Sequence, residues 1–352
     1  MQYTDTEEKT MLTKDQEYVV DLVLKGHNVY IGGQAGTGKS YLLTHLFDKL
    51  TIAGKKVSVT CTTGIACTHF PQRCHASTIH SWAGMDDGRH ESSEICDLLQ
   101  NSVHYKQALH RILHCDVLIL DEVSMLSKRL FEQLSTICSL KDGNYCFGNI
   151  QLVFSGDFLQ LPPVKNSLYN EEGQFCFLSE TFQRVFQHTV FLSEIKRQCD
   201  STFIQTINEV SRGILSEDSN KYLSELNRPL DEKDSVKLFA TNGLVDKYNR
   251  QCILQAKGQL YEYRAEDGGD VQHLSKVLAP PTLWLKKYCP VVLLRNLSDK
   301  LVNGLIGKVV SCGDDGPVVN FPSIDVTTKL DKINFSGNYL QFISICIILK
   351  GL

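Results

Sequence analysis

Three things are missing from this sequence, and each absence narrows what the chain can be. No run reaches the roughly 18 apolar residues that a membrane-spanning helix needs, so no membrane partner is expected. None of its 13 cysteines form a C-x-x-C pair, which argues against a zinc site or a disulfide framework and predicts reduced core thiols in a cytosol, nucleus or organelle matrix. An excess of positive charge is missing too: 36 Lys and Arg stand against 40 Asp and Glu, for a net charge of −4 and a pI near 6.3. A general nucleic-acid binder usually carries a basic domain. Any contact with DNA must then be local, a groove of backbone donors and stacking rings. The opening MQYTDTEEKT is acidic and polar, unlike a secretory signal or an Arg-rich presequence, and no internal repeat is evident.

What is present is a globular composition, 42% hydrophobic over 352 residues, enough for two or three domains with sizeable cores. Its most specific element is Gly33-Gln34-Ala35-Gly36-Thr37-Gly38-Lys39-Ser40, which matches G-x-x-x-x-G-K-[ST]. The apolar Val29, Tyr30 and Ile31 before it predict a strand. After it, Leu42, Leu43, Leu46, Phe47 and Leu50 recur at helical spacing. Glycines let backbone N–H groups turn around a phosphate, and the helix opening at Lys39 aims its dipole at the same anion. Lys39 adds a charge for the β/γ-phosphates, and Ser40 offers a hydroxyl to Mg²⁺.

A second motif supplies a carboxylate. Val117-Leu118-Ile119-Leu120 predicts a strand buried on both faces and ends in Asp121-Glu122. A strand-end Asp in a P-loop enzyme holds Mg²⁺, and an adjacent Glu can polarise the attacking water, so the ligand expected is ATP. Two solvated acids at a strand tip are the alternative. A third run, Ile150 to Phe154, leads into Ser155-Gly156-Asp157-Phe158-Leu159-Gln160-Leu161-Pro162-Pro163-Val164. There the polar Gly156-Asp157 and then Gln160 could sense the γ-phosphate, and the proline pair stiffens the following turn.

These segments carry a resemblance. GQAGTGKS, TCTTGIAC (60 to 67), HASTIHSWAG (75 to 84), LILDEVSML (118 to 126) and FGNIQLVFSGDFLQLPPV (147 to 164) are similar to the Pif-type (petite integration frequency) superfamily-one DNA helicases, close to the RecD-like branch. The resemblance implies an α/β P-loop NTPase with two RecA-like parallel-sheet cores, expected at residues 1–195 and 196–352, the second incomplete. It also implies a Mg²⁺-requiring ATP hydrolase that moves 5′ to 3′ on single-stranded DNA, a monomeric motor acting on tailed or structured DNA. Repair, recombination and telomere maintenance in the nucleus, the mitochondrion or both would be its setting. A nucleotide kinase would need a lid and an acceptor pocket, and it leaves the Gly-Asp-Phe-Leu-Gln-Leu-Pro-Pro stretch unexplained.

Smaller sites carry two readings each. Thr13-Lys14-Asp15-Gln16 is a capping box, in which Gln16 bonds the N-cap amide; the resemblance makes Gln16 the adenine ligand. Thr62 and Thr63 follow a strand, where they could grip a DNA phosphate or simply cap the next helix. Thr78 and His80, with Trp82, resemble the family's DNA-facing segment, although a lone His is usually structural. Phe158 is the stacking candidate beside the groove or a core ring. Arg197, in a Lys-Arg-Gln resembling the fourth motif, would reach the γ-phosphate; read alone, it is a charge on the solvated face of a helix. Thr241, Asn242 and Asn249 resemble the element that touches the DNA backbone from the second core; read alone, Thr241-Asn242 caps a helix.

Beyond residue 195 a strand is expected at 236–242 with a helix after it, another strand at 290–294, and a hairpin joining 307–311 to 318–321. The family's V-N-G-x-x-G-x-V is matched at Val302 to Val309, and its later Ser-x-H-K-x-Q-G and Tyr-x-A-x-[ST]-R segments are not in this sequence. That predicts a truncated or alternatively spliced end and a chain that binds ATP and DNA but translocates inefficiently. The apolar stretch from Tyr339 to Leu349 is expected to be an aggregation liability unless a partner strand covers it.

Overall fold

The computed structural model describes residues 12–85, 88–169, 171–229, 237–269, 280–294, 297, 298, 300, 301, 304–337, 340–345 and 347–349. Its contacts divide the chain into two compact units, 1–227 and 228–352. That division falls beyond the expected break near residue 195. The backbone N–H groups of Lys196 and Arg197 both donate to the Gly36 carbonyl, at 2.7 and 3.2 Å, which ties this segment to the first unit. No described helix is long and apolar enough to cross a membrane.

Six strands make the sheet of the first unit: β1 (Val29–Gly33), β2 (Val57–Cys61), β3 (Ser77–Thr78), β4 (Val117–Asp121), β5 (Gln151–Gly156) and β6 (His188–Leu192). They lie in the order β3-β2-β4-β5-β1-β6, every pair parallel. Helices cover both faces, which is why β4 reads as an unbroken apolar run and not as an alternation. Its Val117 and Ile119 point into one core and its Leu118 and Leu120 into the other.

The first of these cores is closed by α1 (Lys14–Leu24) through Val19, Leu22 and Val23, and by α2 (Lys39–Ile52) through Leu42, Leu43, Leu46 and Leu50. Each such side chain, fully buried, contributes about 1.5–3 kcal/mol. After the short α3 (Gly64–Cys67), the opposite face is covered by α4 (Ile79–Ala83), α5 (Ser92–Asn101), α6 (Lys106–His114), α7 (Lys128–Cys138) and α8 (Glu180–Val185). Gly148 lies in the loop before β5 at φ +58°, and a Cβ there would stand 2.1 Å from the Cys138 carbonyl oxygen. Only glycine fits. Two further helices, α9 (Ser201–Arg212) and α10 (Glu217–Leu226), pack together at the end of this unit, with Thr206 donating to Ser219 at their contact.

The second unit opens with α11 (Asn242–Gln255), and its described strands pair antiparallel. Among the described residues the expected strand at 236–242 is not found: residues 237–240 pair with no described strand, Leu238 is 91% exposed, and Val236 lies outside the described residues. Without a described neighbouring strand to complete its ladder, this apolar run is irregular. Strands β7 (Tyr261–Arg264) and β9 (Thr282–Leu285) pair with each other, on either side of β8 (Glu266–Gly269) in sequence. Next come β10 (Pro290–Leu293), β11 (Ile306–Gly313), β12 (Gly316–Phe321) and β13 (Val326–Lys329), a meander in which β11 and β12 form the expected hairpin. Val302 and Asn303 of the V-N-G match lie outside the described residues. Finally β14 (Lys332–Gly337) and β8 flank β15 (Leu340–Ile345), while β16 (Ile347–Leu349) pairs with β10. Partner strands therefore cover the described part of the apolar stretch that begins at Tyr339. No disulfide forms among the described cysteines.

Candidate active site

The loop Gly33 to Ser40 runs from the end of β1 into the first turn of α2, strand before and helix after. Gly36 and Gly38 adopt φ of +87° and +81°, which an L side chain tolerates poorly. A Cβ on Gly36 would also lie 2.7 Å from the Arg197 Cβ. The other loop residues are held locally: the Thr37 hydroxyl donates to the Gln34 carbonyl at 2.9 Å, and Ala35 is exposed.

Lys39 is only 8% exposed, and its ammonium donates to the Gly33 and Gln34 carbonyls at 2.7 and 2.9 Å. Burial lowers its pKa, and the nearby Asp121, Glu122 and Asp157 oppose that shift while Arg197 adds to it. These five charged groups therefore share one neighbourhood. The Ser40 hydroxyl donates to Asp121 Oδ2 at 2.8 Å, and Asp121 is 3% exposed. Glu122 sits at φ +57°, a left-handed conformation, with its N–H donating to Asp121 Oδ1 at 3.0 Å. Burial raises the Glu122 pKa, Asp121 and Asp157 raise it further, and Lys39 and His69 pull it down. A carboxylate pushed up in this way is a better proton acceptor near neutrality.

The ends of neighbouring parallel strands bring Thr62 to the same spot. Cys61 pairs with Asp121, and the Thr62 hydroxyl donates to the Glu122 carbonyl at 2.9 Å. Thr63 caps α3 by accepting from the Ala66 N–H, and Thr78 caps α4 by accepting from the Ser81 N–H. His80 is half-buried on α4. From the β5 end, the Gln160 amide donates to Asp157 Oδ2 at 3.2 Å. Phe158 is half-buried and its ring packs against Tyr30 at 5.3 Å, Phe177 at 4.8 Å and Phe175 at 5.7 Å. The ring is engaged with the core, and the exposed apolar side chains of that loop are Leu159, Leu161 and Val164.

Gln16 uses both ends of its amide. Oε1 accepts from the Thr13 N–H at 3.0 Å, completing the capping box, and Nε2 donates to the Thr37 carbonyl of the P-loop at 3.4 Å. One N–H and one lone pair remain for a ligand. The Arg197 guanidinium is exposed and makes no hydrogen bond or ion pair among the described residues. Thr241 and Asn242 lie at the start of α11 in the second unit, and Asn249 is buried two turns further along. His69, whose charge reaches Glu122, escapes a reading by motif because it stands at no diagnostic spacing, whereas Asp157, which also reaches Glu122, belongs to the strand-end Gly-Asp-x-x-Gln pattern.

Oxygen donors such as those of Ser40 and Asp121 are the kind a Mg²⁺ ion accepts. Lys39 closes the same loop through its ammonium bonds to the Gly33 and Gln34 carbonyls. A family model described as PIF1-like helicase matches residues 11–221. The chain is 36% identical over 316 residues to the ATP-dependent DNA helicase PIF1 of Emericella nidulans, covering 85% of this chain and 41% of that protein. It is 33% identical over 336 residues to the ATP-dependent DNA helicase RRM3 of Saccharomyces cerevisiae, covering 92% and 46%. The chain thus spans less than half the length of these curated relatives. The crystal structure of Pif1 helicase from Candida albicans matches with a TM-score of 0.82 at 31% identity, covering 97% of this chain and 85% of that one. With the P-loop, the Asp121-Glu122 strand end and the Gly156-Asp157 strand end all inside the matched span, and with a P-loop NTPase sheet carrying them, the chain belongs to the PIF1-like helicase family.

Proposed function

We propose that this chain carries the nucleotide site and part of the DNA-gripping surface of an ATP-dependent DNA helicase that moves 5′ to 3′ on single-stranded DNA. The observation that carries the reading is the Ser40–Asp121 hydrogen bond, which joins the phosphate loop to the carboxylate strand with Glu122 beside them. The names of the relatives as ATP-dependent DNA helicases support it.

In this reading Gly33, Gln34, Ala35, Gly36, Thr37 and Gly38 wrap the phosphates, Lys39 neutralises their charge, and Ser40 and Asp121 hold Mg²⁺. Bound Mg²⁺ supplies charge neutralisation at the phosphate that is transferred. Glu122 takes the proton of the attacking water, Gln160 senses the γ-phosphate, and Arg197 offers its guanidinium to the same group. Gln16 reads the adenine with the N–H and lone pair it has free. Thr62, Thr63, Thr78 and His80 from the first unit, and Thr241, Asn242 and Asn249 from the second, contact the DNA strand. Because Thr62 also bonds the Glu122 backbone, a phosphate on Thr62 has a direct route to the hydrolytic carboxylate.

Tailed and structured DNA are the substrates this assigns, in repair, recombination and telomere maintenance within the nucleus, the mitochondrion or both, with a monomer as the motor unit. ATP turnover by residues 1–352 with and without oligo-dT tests the reading. Stimulation by the single strand is expected, and turnover indifferent to it, or a nucleotide bound equally well without Mg²⁺, would overturn it.

A further inference from the structure

Tyr288 breaks a backbone rule on the surface of the second unit. It adopts φ +72°, a conformation that suits glycine, yet it is tyrosine and 61% exposed. The turn that carries it, between β9 and β10, is firmly tied down. Its N–H donates to the Val309 carbonyl at 2.8 Å and Val309 returns a bond to Cys289 at 3.0 Å. Lys286, two residues earlier, is buried and donates to the Ala256 carbonyl at 2.6 Å at the end of α11. A left-handed non-glycine residue on a rigid, solvent-facing turn points to a use for its side chain.

Two cations attend that ring. The Lys287 ammonium lies 4.8 Å from its centroid and the Lys308 ammonium, from β11, 5.9 Å. Neither lysine forms an ion pair among the described residues, whereas Lys329 and Lys332 of the same unit do. Beside Lys308 on the outward side of β11, Ile306 and Val310 are exposed.

We infer that Tyr288, Lys287 and Lys308 form a docking platform for single-stranded nucleic acid, with a base stacked on the tyrosine and the flanking phosphates taken by the lysines. The inference rests on the reading of this chain as a single-strand binder. A cation–π contact at an exposed site is weak, so an arriving phosphate lifts an ammonium off the ring at little cost and uncovers the face for a base. One π-face with cations around it is the pattern by which proteins hold single strands without reading sequence. An acidic peptide would engage the lysines and leave the ring without a planar partner. The platform also supplies local positive charge that the chain as a whole, at −4, lacks.

The test uses the full chain, labelled oligo-dT and an abasic oligonucleotide of equal length. Tyr288→Gly suits the backbone conformation, so it folds with unchanged or raised Tm, and its affinity for oligo-dT falls roughly tenfold, the scale of one base–aromatic stack. Tyr288→Phe keeps wild-type affinity. On the abasic strand the wild type loses its advantage over Tyr288→Gly. The double variant Lys287→Ala/Lys308→Ala flattens the plot of log affinity against log salt by about 1.4, at ~0.7 per phosphate contact. Equal oligo-dT affinity of wild type and Tyr288→Gly overturns the platform and leaves the helicase reading standing. A wild type that binds no oligo-dT overturns both, and a Tyr288 effect that persists on the abasic strand points to a peptide-like or purely ionic partner and overturns the stacking claim.

Discussion

The Ser40 hydroxyl donates to Asp121 Oδ2 at 2.8 Å, so the first turn of α2 and the tip of β4 are joined directly. Two hard oxygen donors are thereby held in place, and a metal entering between loop and strand does not have to order them. Asp121→Asn should keep the fold, since the amide can still accept from Ser40, while ATP hydrolysis falls by roughly 10² or more. Turnover measured against Mg²⁺ concentration checks this. The variant should need far more metal, and an unchanged Mg²⁺ curve would remove Asp121 from the metal site.

Glu122→Gln separates binding from hydrolysis and carries a pH signature. The variant should bind ATP and fail to turn it over, because only the proton acceptor is lost. Burial raises the Glu122 pKa in the folded state, so the folded chain holds that proton more tightly than the unfolded one. Stability contributed by this group therefore falls as pH rises from the ordinary carboxylate value through the raised one, and the deficit persists above both. Thermal melting should show Glu122→Gln more stable than wild type at pH 7, the two converging below about pH 4.

Gly36→Ala tests the tie between the P-loop and the segment that bears Arg197. At φ +87° an alanine costs about 1–2 kcal/mol in the folded state. Its Cβ would also press on the Arg197 Cβ and loosen the two N–H bonds to the Gly36 carbonyl. Lower Tm together with weaker ATP binding is expected; a drop in Tm with nucleotide affinity intact would confine Gly36 to a folding role.

Affinity for single strands should be modest and its salt dependence shallow, at roughly −0.7 in log–log slope per phosphate neutralised. A net charge of −4 leaves only local contacts to supply it. Fluorescence titration of oligo-dT and duplex DNA over a salt series measures this directly, and tight binding to duplex with none to oligo-dT would contradict a single-strand groove.

Much of the first unit is legible because its signals are local or doubly buried. Val117 to Leu120 must be apolar on both sides of the sheet, and Gly36 and Gly38 must permit positive φ, so each leaves a mark in the letters themselves. The Ser40–Asp121 contact spans 81 residues and is inferred only through the two motifs at its ends. Phe158 shows the limit. A ring after a strand-end Gly-Asp looks the same in sequence whether it faces a groove or packs on Tyr30 and Phe177, because that depends on rings supplied by α8 and the loop before it. In the second unit Leu238 and Phe239 mimic a strand, but pairing is decided by neighbours far along the chain, as β16 with β10 demonstrates.

The central claim is that Gly33 to Ser40 holds the phosphates of Mg²⁺-ATP, and binding of a fluorescent ATP analogue to wild type and Lys39→Ala tests it most directly. Wild type should bind in a Mg²⁺-dependent manner, and Lys39→Ala, lacking the buried ammonium now donating to the Gly33 and Gln34 carbonyls, should show no measurable binding while its melting curve stays cooperative. Equal affinity in the two proteins would contradict the account.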